Sequence, residues 1–360
     1  MSQIPEKMKA LVAYAPGDYR LEMVPTPRAA GDDVIVKVEG CGVCAGDLKA
    51  FHGAPSFWGG EGSPAYIKAP MIPGHEFVGT VVEVGPDQKE FKVGDRVVSD
   101  QIVPCWECKF CKTGRYWMCQ KHDVYGFQNN VNGGMAEYMI VPPLARAHKI
   151  SKDIAPQHAA YAEPLSCSLH AVERAELTFD DVVVVAGAGP IGLGAIIGAA
   201  HKNPKLVIAL DFDDAKLELA KKCGADLTMN PSKVDIYEEI RALTGGYGAD
   251  VYIECTGHPS AVPQGLNLLR KLGTFVEYSV FKENVSVDWS IISDDKELDV
   301  RGAHLGPHTW PAAIKIIEKG DLPLDEICTH QFALADFQKA LDSVADSAGA
   351  SVKVSILPGL

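Results

Sequence analysis

Four cysteines, Cys105, Cys108, Cys111 and Cys119, fall within fifteen residues in the pattern C-x2-C-x2-C-x7-C. Thiolates spaced so closely can surround one tetrahedral Zn²⁺ and leave no coordination position open. A closed site of that kind fixes a loop and performs no chemistry, so the segment is expected to form a structural zinc lobe. Four unrelated free thiols are the alternative, and they leave the clustering unexplained. Lys109, Lys112 and Arg115 fit the metal reading, because cations lower thiolate pKa and offset an anionic four-thiolate centre.

The remaining chain is far larger than this lobe. At 360 residues it exceeds the usual size of one compact domain, so two are expected. The net charge is 34 − 47 = −13, and no basic stripe overrides it. Nucleic acid and anionic membrane are therefore poor partners, and a small molecule is the expected one. The first residues carry charges where a secretory signal needs an apolar core. Val182 to Ala200 has no charged residue, but it contains five glycines and Pro190 between Asp180-Asp181 and His201-Lys202. A buried strand running into a buried helix accounts for it better than a membrane span. Ten cysteines, several at metal-ligand spacing, suit a reducing compartment, and the expected location is the cytoplasm.

Texture divides the chain. The first 150 residues hold short β-branched runs broken by Gly and Pro: Val34–Val38, Gly79–Val84 and Asp95–Val98. Strands at that spacing without helical periodicity suggest an antiparallel, barrel-like domain. From about residue 156, apolar runs at Val182–Ala186, Leu206–Leu210, Val251–Cys255 and Thr274–Val280 alternate with helical patterns such as Ala215–Lys222. That alternation indicates a parallel sheet covered on both faces. Beyond residue 302, helices are expected near Ala312–Lys319 and Ala335–Val344, and a strand at Val352–Leu357.

The run Val182–Ala186 enters Gly187-Ala188-Gly189-Pro190-Ile191-Gly192, a G-x-G-x-x-G at a strand exit and helix entry. Gly187 permits the tight turn, Gly189 lets backbone approach a pyrophosphate, and Gly192 lets helix and strand pack closely. The helix N-terminus, opened by Pro190 and Ile191, offers free N–H groups to phosphate. Asp211 ends the next strand, nineteen residues past Gly192, where a carboxylate can accept from both ribose hydroxyls. It would repel a 2′-phosphate, which favours NAD over NADP. Lys216 is either an adenosine contact or a solvated helix-face charge.

Upstream, Cys44, His75 and Glu76 are possible zinc ligands on separate segments, and Glu163 in Glu163-Pro164-Leu165-Ser166 offers another carboxylate. By spacing alone each could equally be a packed or solvated residue. The combination resembles the zinc-dependent medium-chain dehydrogenases, which include alcohol, polyol and threonine dehydrogenases. The marks are GVCxxD at Gly42–Asp47, GHExxGxxxxxG from Gly74 to Gly85, VGDRV at Val93–Val97, the four-cysteine lobe, GAGPIG, and Glu254-Cys255-Thr256-Gly257. This resemblance implies an α/β chain: a GroES-like β-rich catalytic domain (1–156, with the zinc lobe at about 100–120), an inserted Rossmann doubly wound domain (157–301), and a return to the catalytic domain (302–360). It implies two zinc ions per chain, the catalytic one held by Cys44, His75 and either Glu76 or Glu163, with an open position for water or substrate. The alcohol dehydrogenase form of such a site, with two cysteines and a histidine, is a known reference case.

EPLS at Glu163–Ser166 resembles the polyol dehydrogenases, as do His308–Pro311 and Thr329–Phe332. Within them, Cys44–Asp47 and the aromatic insertion between His52 and Pro70 look most like erythritol or L-threitol dehydrogenases. The implied activity is reversible NAD-dependent oxidation of a secondary alcohol on a small polyol. A simple alcohol, threonine or a sugar phosphate are alternative substrates, and a non-catalytic NAD-binding scaffold or redox sensor is an alternative of another class. A homodimer or homotetramer is also implied. Many members place Ser or Thr two residues after the first cysteine to pass on the alcohol proton, whereas this chain has Gly46. Glu163 through water, Lys49 and His52 are candidates for that route. Asp47 is expected to orient a zinc ligand or to cap a turn. Phe57, Trp58 and Tyr66 either roof the substrate pocket or cover the zinc lobe. Cys41 is read as packing or flanking the metal strand, Cys167, Cys223, Cys255 and Cys328 as buried small hydrophobes, and Thr256 as lining the nucleotide cleft or bonding at a strand end.

Overall fold

The computed structural model describes residues 4–60, 62, 64–281, 283–346 and 351–360. The chain forms two compact units: Met1–Glu163 with Trp310–Gly320 and Leu324–Leu360, and Pro164–Thr309 with Asp321–Pro323. The second is thus inserted into the first.

In the first unit, β1 (Lys7–Ala15) and β2 (Asp18–Pro25) form an antiparallel ribbon. The main strands follow: β3 (Val34–Val43), β4 (Glu76–Val84), β5 (Arg96–Ser99), β6 (Tyr138–Val141) and β7 (Ala147–Lys149). The β-branched run that opens β3 is buried, with Ile35 and Val36 fully enclosed, which is why this strand forms the centre. Ten residues long, β3 takes β4 along one edge and two strands in succession along the other. Residues Val34–Lys37 pair with β6, and Cys41–Val43 pair with a strand from the end of the chain. The expected strands at 34–38, 79–84 and 95–98 all lie in this sheet, and pairing extends the first two toward residues 43 and 76.

The second unit is a six-stranded parallel sheet: β8 (Val182–Ala186), β9 (Leu206–Leu210), β10 (Leu227–Met229), β11 (Ala249–Glu254), β12 (Leu269–Glu277) and β13 (Asp299–Gly302), in the order β10-β9-β8-β11-β12-β13. Order reverses beside β8, the topological switch point of a doubly wound sheet. All five residues of β8 are buried, so the uncharged stretch from Val182 is a central strand followed by the helix Pro190–Lys202. Among the described residues no helix is long and apolar enough to cross a membrane. The chain returns to the first unit with β14 (His330–Phe332) and β15 (Val354–Ile356), the latter antiparallel to β3.

Candidate metal centre and nucleotide loop

Antiparallel pairing of β3 with β4 sets Gly42 opposite Glu76. Cys44, just past the end of β3, and His75, just before β4, therefore reach the same edge of the sheet. A ligand atom from each of Cys44, His75 and Glu76 lies within 4.8 Å of the others, with His75 and Glu76 buried. A Cβ on Gly42 would stand 1.9 Å from Glu76 Oε2, so only glycine leaves room for that carboxylate. The pairing of β15 with β3 sets Val354 against Val43 and carries Lys353 into the same place. Lys353, 3% exposed, forms an ion pair with Glu76 Oε2 and donates to the Val43 carbonyl at 3.0 Å. Burial works against its charge, but Glu76, with Cys44 and Glu163 behind it, keeps the ammonium above its ordinary range.

Asp47 turns its two oxygens to different neighbours. Its Oδ2 accepts the Cys44 N–H at 2.9 Å and caps the helix Ala45–Phe51, while Oδ1 faces His75 Nδ1 at 3.8 Å. Glu163 opens the helix Ala162–Ala175 and is buried, its Oε1 accepting from Gln101 Nε2 at 2.5 Å. It stands outside the 4.8 Å group, yet its charge acts on His75 and Lys353. Two buried atoms, Asp47 Oδ1 and His75 Nδ1, have no hydrogen-bond partner among the described residues. Burial disfavours a charged His75, but Asp47, followed by Cys44 and Glu163, holds the imidazole well above its usual range. Anions that draw a proton onto a buried ring leave the centre short of positive charge. Thiolate, imidazole and carboxylate are the donors zinc takes, and a divalent cation corrects that deficit, so the residues fit a zinc ion.

The aromatic insertion closes one side of this centre. Phe57 stacks on Phe127 at 5.2 Å, Tyr66 leans on the same ring, and Phe127 lies 5.4 Å from the His75 ring. Tyr66 also donates to the His122 carbonyl, just past the cysteine lobe. Trp58 instead bonds the Ala50 carbonyl. A Cβ on Gly46 would sit 3.6 Å from Cys44 Sγ and 3.9 Å from both Phe57 and Phe127. His52, one candidate for proton passage, packs its ring edge-on against Phe51.

In the lobe, ligand atoms of Cys105, Cys108, Cys111 and Cys119 lie within 4.8 Å of one another, and none is in a disulfide. Backbone N–H groups of Cys105, Cys108 and Gln120 point at Sγ of Cys119, Cys105 and Cys108 respectively, at 3.3–3.4 Å. The amides of Cys111 and Gln120 bring the Cys108 thiol down to about 6, whereas burial pushes Cys111 up to about 12. N–H groups aimed at sulfur stabilise thiolate, which is what a four-sulfur zinc site requires.

In the second unit, Gly187 has φ +94° and its N–H bonds the Leu210 carbonyl. A Cβ on Gly192 would stand 1.8 Å from the Gly187 carbonyl oxygen, while one on Gly189 would meet nothing within 4 Å. The turn is therefore packed from below and open at Gly189, where the helix Pro190–Lys202 begins without a side-chain cap. An open glycine turn at an uncapped helix N-terminus is a shape that can receive a pyrophosphate. Asp211 Oδ2 accepts the Ala188 N–H at 2.7 Å, so this carboxylate is fastened to the same loop. Lys216 lies half-buried on the following helix. Thr256 donates through N and Oγ1 to Glu254 Oε1, which is strand-end bonding.

Three residues near these sites escaped the sequence reading: Lys353, Gln101 and Glu277. A lysine within the apolar run at the C-terminus was the one available signal for Lys353.

Comparison with known proteins accords with this geometry. The Alcohol dehydrogenase GroES-like domain family model matches residues 30–152, and the Zinc-binding dehydrogenase model matches residues 190–319. The chain is 63% identical to the erythritol/L-threitol dehydrogenase of Mycolicibacterium smegmatis, over 99% of each chain. A protein of Sinorhizobium meliloti 1021, described as a zinc-binding dehydrogenase and solved with NADP, superposes with TM-score 0.88 at 30% identity. The match covers 98% of this chain and 100% of that one. An alcohol dehydrogenase of E. coli CFT073 solved with NADH gives 0.86 at 28% identity, with the same coverage.

Proposed function

Because the chain belongs to the zinc-dependent medium-chain dehydrogenases, we propose that it oxidises a secondary alcohol of a small polyol, of the erythritol or threitol kind, reversibly to the ketone with NAD. The grouping of Cys44, His75 and Glu76 within 4.8 Å carries this reading, since the reaction needs a Lewis acid beside a carbinol. Cys44, His75 and Glu76 hold the catalytic zinc, and the lobe cysteines hold the structural one. A zinc ion held there would supply the Lewis acidity that makes an alcohol hydroxyl more acidic, and a bound dinucleotide would supply the hydride acceptor. Asp47 fixes the Cys44 segment and faces His75. With no hydroxyl at Gly46, the Glu163 carboxylate takes the alcohol proton and passes it to water. A vicinal hydroxyl within reach of Glu163 favours diols over simple alcohols. Gly187, Gly189, Pro190, Ile191 and Gly192 cradle the pyrophosphate, and Asp211 selects the unphosphorylated ribose. Lys216 contacts the adenosine.

The protein acts in the cytoplasm as a homodimer or homotetramer. The open edge at β13, with Val300, Trp289 and Val280 exposed nearby, supports self-association. Absorbance of NADH formed from NAD across three- to six-carbon polyols, threonine and ethanol tests the activity. Turnover is expected to be highest on four-carbon polyols. Turnover of threonine or ethanol alone would reject the assignment.

A further inference from the structure

In the second unit the parallel pairing of β9 with β10 sets Leu210 beside Met229, so Asp211 and Asn230 leave the sheet side by side. Asn230 is buried and organises both segments that emerge there. Its Nδ2 donates to the Phe212 carbonyl at 2.8 Å and to Asp214 Oδ1 at 2.9 Å. Its own carbonyl accepts the Lys233 N–H at 2.9 Å and so closes the turn that carries this lysine. The Lys233 ammonium in turn donates to Asp214 Oδ2, in an ion pair whose side chains are 60% and 58% exposed. The other carboxylates of the loop are engaged by backbone. Asp211 accepts from the N–H groups of Ala188 and Asp213, and Asp213 caps the helix Asp214–Lys222 through the Ala215 N–H.

An exposed ion pair adds little to stability, because water solvates both charges before it forms. This one is nevertheless built: a buried amide aims the carboxylate, and a turn fixed by the same residue presents the lysine. Lys233, then Asn230, hold the Asp214 carboxyl below its ordinary range, so it is ionised at neutral pH. What the pair changes is the charge offered at this edge of the sheet. NADP differs from NAD by one phosphate on the adenosine ribose, and a lysine with no carboxylate to hold would attract it. Resting on the reading of Asp211 as the ribose carboxylate, we propose that Asp214 is a second specificity residue, which engages Lys233 and withholds that cation from a 2′-phosphate. The loop then rejects NADP in two ways, by the repulsion of Asp211 and by keeping its nearby ammonium occupied.

The test titrates the full-length, zinc-loaded protein with NAD and with NADP, without polyol, and reads the ratio of the two Kd values. Asp214→Ala should shift that ratio toward NADP by about fivefold at low salt, and the shift should shrink as salt is raised. Lys233→Met alone should leave the ratio within about twofold of wild type, because the ammonium is already engaged. The double variant, Asp214→Ala with Lys233→Met, should return to within about twofold of the wild-type ratio, since no lysine is then released. An unchanged ratio in Asp214→Ala overturns the proposal. So does an equal shift in the double variant, which would mean that Asp214 acts by repulsion alone. Wild-type protein that binds NADP as tightly as NAD would instead overturn the Asp211 reading beneath it.

Discussion

The two cysteine-bearing regions of the first unit solve one problem, holding anionic ligands together, by opposite means. The lobe draws its ligands from fifteen consecutive residues and steadies them with backbone N–H groups. The other centre gathers residues 44, 75 and 76 from two separate segments, buries His75 and Glu76, and balances one carboxylate with a lysine from the far end of the chain. A local site is assembled by short-range geometry and survives small changes elsewhere. A dispersed site exists only when the sheet has formed, so its energetics and those of the fold are one quantity. The first arrangement suits a structural ion and the second a reactive one.

Removing a ligand from the dispersed centre should have the largest effect. Cys44→Ser is expected to lower turnover by about a thousandfold or more, with dinucleotide binding preserved. NADH formation and fluorescence titration with NAD measure the two quantities. Wild-type rates in this variant would erase the functional contrast between the two regions.

How much of this contrast was legible in the sequence follows from the same physics. The lobe was readable because its ligands are neighbours, and the nucleotide turn because strand, glycines and helix are contiguous. Cys44, His75 and Glu76 became a site only through resemblance, since nothing local brings Gly42 opposite Glu76. Lys353 and Gln101 carry no motif. Their roles come from β15 docking beside β3 and from the turn after β5 meeting the helix at Ala162, both long-range events. No sequence pattern announces that the two oxygens of Asp47 face Cys44 and His75 separately.

Lys353 sharpens the comparison next. Lys353→Met leaves Glu76 as an uncompensated buried charge, and removing one member of a buried pair costs about 3–5 kcal/mol. The loss should be greatest in metal-stripped protein and smaller after zinc loading, as read by denaturant unfolding under both conditions. Equal losses would mean that Lys353 supports the sheet alone. In the lobe, Cys108→Ser should remove one zinc per chain and lower the unfolding temperature, with kcat within about threefold of wild type. Metal analysis and steady-state kinetics decide this. A collapse of kcat matching that of Cys44→Ser would dissolve the distinction between structural and catalytic ions.

The smallest effect concerns a third way of treating buried anions. In the second unit Glu254 and Glu277 stand side by side on β11 and β12, and among the described residues neither has an ion pair. Lacking both a metal site and a lysine, Glu277 is left to protonation. Burial, then the Glu254 charge, push Glu277 up to about 8 from an ordinary 4.5. A carboxyl raised in the folded state binds its proton more tightly there than in the unfolded chain. Its stabilising contribution is complete below pH 4.5 and is lost as pH rises through 8. The unfolding temperature of the wild type should therefore fall from pH 6 to pH 9, and Glu277→Gln should flatten that fall, because a neutral amide has no proton to lose. Parallel pH profiles for the two proteins would show that Glu277 carries its charge without cost. The difference between a balanced and an unbalanced buried carboxylate would then lose its basis in this molecule.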